Sequence, residues 1–195
     1  MPFTKFIVET FISEKATSVT ECNAKNVGSS FPSFEEWISC YGFRIIFHNH
    51  VKPEAHHLAL QLLRRTIAAF ARYKSACESL NQHVASNGTN WSLYFEALSY
   101  FEDAISQLYQ ALDCSRKALK QTIFKRGDGS KEERLNLIYN SMRHTPAASE
   151  QPVWITNDGL EAELAQLSFS EIEEMLRMCG RICEKLCTGE ANEGT

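Results

Sequence analysis

From Trp91 to Leu119 the chain runs for roughly thirty residues without a glycine or proline. Within it Tyr94, Leu98, Phe101, Ile105, Leu108 and Leu112 recur at alternating spacings of four and three. That period matches the helix turn and lines an apolar seam along one face. At 1.5 Å per residue the helix spans roughly 40 Å, and Tyr100 and Tyr109 widen its seam enough to touch more than one neighbour. A helix this long cannot bury its seam alone. The rest of the chain must supply helices to cover it.

Those helices have recognisable starts. Ser33 with Glu36, Ser130 with Glu133, and Ser168 with Glu171 each form a capping-box pattern ahead of a periodic apolar stretch. The first opens a helix through Trp37, Tyr41, Phe43, Ile45 and Phe47, ending before Pro53. Pro53-Glu54 begins the next, with the stripe Leu58, Leu62, Ile67, Phe70, Tyr73, Cys77 and Leu80, and it ends before Asn87-Gly88. The K-R-G-D-G-S breaker precedes a shorter helix through Leu135, Ile138 and Met142. The last carries Ile172, Met175, Leu176, Cys179, Ile182 and Leu186. Between these two, V-W-I-T, Asn157-Asp158-Gly159 and L-E-A-E-L predict a short hairpin or lone turn.

The fold expected is all-α, an antiparallel four- to five-helix bundle with that hairpin or turn inserted before the last helix. Residues 1–31 form an N-terminal segment, a short helix from the spacing of Phe3, Phe6, Ile7, Phe11 and Ile12 or a strand through Lys5–Phe11, followed by a polar loop. Residues 32–187 form the bundle domain and 188–195 a frayed tail. At 195 residues, 44% of them apolar, the chain can bury a substantial core.

Charge and cysteines narrow the function. The 20 basic and 24 acidic residues leave a net charge of −4, which disfavours a surface that coats nucleic acid broadly but allows a local basic site. Lys5 and Glu9 interrupt the N-terminal apolar run, so neither a signal-peptide core nor a membrane span is expected, and the cytoplasm is the expected location. Seven cysteines without a secretory signal are expected to be reduced.

Three side-chain groups have the residue types of a site. Cys179, Cys183 and Cys187 share one helix face, but zinc motifs place cysteines around a turn, so packing is the expected role and no metal is expected. His48, His50, His56 and His57 surround one turn without a carboxylate at ligand spacing, which favours capping and loop packing. Arg116, Lys117, Lys120, Lys125, Arg126 and Lys131 cluster near one helix end, where cations are favoured on structural grounds alone. P-loop, dinucleotide, zincin and hydrolase-elbow patterns do not occur, and no cofactor is expected.

The remaining constellation is Y-N-S-M-R-H, residues 139–144. A histidine at a helix end can transfer a proton, while arginine and asparagine can hold a phosphate oxygen. The plainer alternative is that Asn140 and His144, four apart, cap the helix. With the following P-V-W-I-T-N-D-G-L and the helix L-S-F-S-E-I-E-E-M-L, this stretch resembles the HEPN superfamily (higher-eukaryote and prokaryote nucleotide-binding domains) over about residues 53–186. Many of its members carry an Arg, then a polar residue that is often Asn, then further residues and a His, with four to six residues between the Arg and the His. Asn140 and His144 match; Tyr139 stands where active members have Arg, and a neutral phenol supplies no permanent charge. Arg143 precedes His144 by one residue and on a helix projects about 100° away from it.

The resemblance implies a homodimer, with RNA, a nucleotide or a protein as partner, in a bacterial defence or toxin–antitoxin setting. It gives Tyr139, Asn140, Arg143 and His144 as binding residues of a module with a degenerate nuclease motif. The alternatives are a metal-independent endoribonuclease using His144 with Asn140 and Arg143, and an unrelated helical scaffold.

Overall fold

The computed structural model describes residues 5–11, 13–48, 55–119, 122, 124–143 and 152–189. In chain order the elements are α1 (Lys5–Phe11), α2 (Glu14–Thr17), α3 (Trp37–His48), α4 (His56–Ala85), α5 (Trp91–Leu119), α6 (Lys131–Arg143), β1 (Trp154–Ile155), β2 (Gly159–Ala162), β3 (Ala165–Ser168) and α7 (Phe169–Thr188). Single 3-10 turns at Val27–Ser30 and Phe34–Glu36 lead into α3.

The α4–α5 hairpin is the spine. Arg65 bonds Gln107, Arg72 pairs with Asp103 and Ser79 donates to Glu96, so partner numbers fall on α5 as they rise on α4, as an antiparallel pair requires. The turn between them places Asn87 and Gly88 in the left-handed region, at φ 53° and 68°, conformations that Asn and Gly tolerate best. On α5 the predicted seam is buried at Tyr94, Phe101, Ile105, Leu108 and Leu112, with Leu98 partly covered. Each fully buried side chain of this size contributes about 1.5–3 kcal/mol relative to exposure. The helix ends where the sequence predicts.

Helix α7 closes the core. Phe169 stacks on Phe101 at 5.2 Å between centroids. Ser168 caps the helix in a full capping box with Glu171, and Gly189 ends it at φ 82°. Gly180 lets Phe31 approach, since a Cβ there would lie 2.6 Å from that ring. Phe31 joins Trp37 and Phe70 in an aromatic cluster that fastens residues 27–37 to α4.

The polar loop after α2 is a strap rather than a free end. The Thr20 N–H donates to Asn157 Oδ1 and the Lys25 N–H to the buried Glu173 carboxylate, at 2.9 and 2.7 Å. Tyr73 and Arg177 donate to the same carboxylate at 3.3 and 3.0 Å. Those donors let a carboxylate remain buried without large cost.

Two expectations need correction. The chain is mostly helical but not all-α, because the insertion is a three-stranded antiparallel sheet in the order β1-β2-β3. Ile155 pairs with Leu160 and Leu160 with Leu167. The third strand has little signature in the sequence, because A-Q-L-S lacks β-branched residues, and only Ala165 and Leu167 carry its two-residue burial period. Tertiary contacts hold the sheet. The buried Tyr94 hydroxyl accepts from the Ile155 N–H at 3.0 Å and donates to the Ile155 carbonyl at 3.2 Å.

Ser33 makes no capping bond, since its segment enters a 3-10 turn before α3 begins. Ser130 makes only half of its box: it accepts from the Glu133 N–H at 3.1 Å, while the Glu133 carboxylate accepts from the Gly127 and Gly129 N–H groups. Among the described residues no helix is long and apolar enough to cross a membrane.

Candidate functional site

Helix α6 is positioned by its first turn and by its buried face. Glu133 ties its start to the preceding loop, Lys131 pairs with Glu174 and Arg134 with Glu171, so α6 is riveted to α7. Leu135 and Ile138 are fully buried and set its rotation. That rotation carries Tyr139 inward as well, to 7% exposure.

The Tyr139 ring stacks on Tyr109 of α5, with centroids 4.4 Å apart and planes 16° from parallel. Arg143, one turn further along α6 and therefore on the same face, donates through Nη1 to the Tyr139 hydroxyl at 3.0 Å. Its Cζ lies 5.5 Å from the ring centroid, within cation–π range. Asn140 is half-buried and Arg143 exposed. His144 lies outside the described residues; of the other three site residues the structure brings Tyr139 and Arg143 together.

Asp113, one helical turn along α5 from Tyr109, accepts from Arg116 and Lys117 at 2.8 and 2.6 Å. Burial pushes its carboxyl up, but these two cations outweigh that and hold it below the usual carboxylate range. Burial and the Asp113 charge together raise the Tyr109 phenol above its ordinary value. The Tyr109 phenol is therefore neutral at physiological pH. Among the described residues, Arg116, Lys117 and Asp113 act on the Tyr109 side of the stacked pair and Arg143 on the Tyr139 side. The partner of Arg143 is a hydroxyl rather than a carboxylate, so its charge stays available to an anion.

The other predicted groups resolve differently. Cys179 and Cys183 are buried, and burial pushes the Cys183 thiol up to about 12, which makes it a packing residue at neutral pH. Cys187 points elsewhere, donating to the Trp37 carbonyl at 3.3 Å. Among the described residues no three His, Cys, Asp or Glu side chains are grouped to hold a metal. Of the four clustered histidines, His50 and the His48 side chain lie outside the described residues. His56 lies beside Tyr41, with ring centroids 6.3 Å apart, and His57 is exposed. The basic cluster disperses into separate pairs, with Lys131 on Glu174 and Arg116 and Lys117 on Asp113. Lys120 lies outside the described residues.

Tyr109 is the site residue that the motif alone does not reveal. Its signal was its place beside the α5 seam, which required a second neighbour for the helix. No protein-family model matches the chain, and no match is found among curated proteins or solved structures.

Proposed function

We propose that this chain is a HEPN-like helical binding module that works as a homodimer, with α3 to α7 as its bundle, and that the end of α6 is a recognition site rather than a catalytic one. The carrying observation is the burial and stacking of Tyr139 on Tyr109, with Arg143 drawn onto its hydroxyl. The position at which the resemblance requires a catalytic cation is a packing position here. A tyrosine side chain lacks the permanent positive charge that an arginine would set against a phosphorane.

Recognition is a better match to these residues. Arg143 keeps a forked cation at the surface, and Arg116 and Lys117 outnumber the single Asp113 carboxylate. A phosphate-bearing ligand, RNA or a nucleotide, suits that balance. The bacterial defence or toxin–antitoxin setting follows from the resemblance alone.

The deciding experiment is incubation of the purified protein with a mixed RNA pool in EDTA, beside a His144→Ala variant, with RNA binding followed by fluorescence anisotropy. The expected outcome is binding without His144-dependent cleavage, weakened by Arg143→Ala with the salt slope reduced by about one. Cleavage abolished by His144→Ala would establish the metal-independent ribonuclease instead.

A further inference from the structure

Helix α3 carries two apolar stripes, and its own bundle covers only one. Trp37 and Tyr41 are buried, and Ile45 packs partly covered against the same core. Ser39, Phe43, Ile46 and Phe47 follow the i, i+4, i+7, i+8 spacing of a second stripe. At about 100° per residue, Phe43 lies on the far side of the helix from Tyr41. Phe43 is 66%, Ile46 74% and Phe47 72% exposed. The second stripe carries no charge. Arg44 is the one Asp, Glu, Lys or Arg in α3, and it turns back to the Lys185 and Leu186 carbonyls at the end of α7. A helix that is apolar on opposite sides is ordinarily covered on both.

The three longest stretches outside the described residues, 49–54, 144–151 and 190–195, hold Val51 as their one large apolar residue. They are too poor in apolar side chains to cover this face. A membrane surface is a poor match as well. Helices that lie on anionic bilayers carry Lys and Arg beside their apolar face, whereas the exposed residues leading into α3 are Glu35 and Glu36. A second copy fits best. A two-fold axis sets side chains near their own images, so a charged face repels itself and an uncharged one does not. Antiparallel pairing also keeps Glu35 and Glu36 at the opposite end from their images, and it opposes the two helix dipoles. Phe43, Ile46 and Phe47 expose about 400 Å² between them, so two copies remove about 800 Å² before the helix flanks are counted. That is the low end of specific interfaces, where association is reversible.

We propose that α3 is the contact between two copies of this chain, paired antiparallel about a two-fold axis. Phe43, Ile46 and Phe47 of each copy pack on those of the other and form a reversible dimer. This dimer is the homodimer of the proposed function and rests on that reading, but none of its contact residues belongs to the α6 end.

Sedimentation velocity of the whole chain between about 1 and about 100 µM tests the contact. The expected result is a monomer–dimer equilibrium in the parent. Phe43→Glu and Ile46→Glu should each weaken it about 100-fold or more, because a two-fold interface counts every substitution twice. Both side chains are exposed in the monomer, so the variants should melt with the parent at the lowest concentration, which separates a lost contact from a lost fold. A dimer that persists in both variants would overturn the α3 contact and leave the homodimer reading standing. A parent that stays monomeric at the highest concentration would overturn both, while RNA binding at the α6 end would still be read through Arg143→Ala. Binding of the parent to phosphatidylcholine–phosphatidylglycerol vesicles, lost in Phe43→Glu, would overturn the proposal by giving the face to a membrane.

Discussion

The ring of Tyr139 on α6 lies flat against that of Tyr109 on α5, 4.4 Å between centroids and 16° from parallel. The Arg143 guanidinium reaches back to the Tyr139 hydroxyl. This arrangement welds the candidate site to the helix packing. Exchanging Tyr139 for the arginine that the family resemblance calls for should destabilise the protein by about 2 kcal/mol, through loss of the stack and burial of a charge. Tyr139→Phe keeps the ring and should cost less than about 1 kcal/mol. Urea unfolding of both variants measures this, and an unchanged midpoint for Tyr139→Arg would mean that the ring is not a packing element.

The Tyr94 hydroxyl holds both backbone groups of Ile155, and all three are buried. Tyr94→Phe leaves an N–H and a carbonyl unsatisfied, so a loss of about 2–3 kcal/mol is expected. Hydrogen exchange should show faster exchange at β1, while the amides of α4 keep their order of protection.

Two glycines should respond with opposite sign. At Gly180 an added Cβ would meet a Phe31 ring that is 5% exposed and hemmed in by Trp37 and Phe70. Overpacking of this kind costs about 1–3 kcal/mol. At Gly42, inside α3, nothing lies within 4 Å of an added Cβ, and alanine there should stabilise the helix by about 0.5–1 kcal/mol. Thermal melts of Gly180→Ala and Gly42→Ala read both.

Acid should loosen the start of α7. Burial raises the Glu171 carboxyl, but hydrogen bonds from the Ser168 N–H and hydroxyl, together with Arg134, outweigh it and hold the group below its usual range. A depressed carboxylate stabilises the fold fully above its unfolded pKa of about 4.3, and that stability is lost as pH falls through the lower folded value. The stability gap between the parent and Glu171→Gln in urea should therefore narrow as pH drops below the ordinary carboxylate range. A gap that widened in acid would contradict this sign.

The sequence by itself determined the long helices. The α5 seam, the α4 stripe and the Ser168–Glu171 box are local patterns, set by the helical period and by hydrogen bonds spanning three residues, and the structure realises them. It did not determine the third strand, because A-Q-L-S has little strand character and becomes a strand only beside β2. Nor did it determine the environment of Tyr139: Y-N-S-M-R-H names the residues, but the rotation of α6 and the facing Tyr109 decide that Tyr139 packs and that Arg143 folds back over it. Period and caps act over a few residues, while partners such as Tyr94 and Ile155, 61 residues apart, meet only when the core closes.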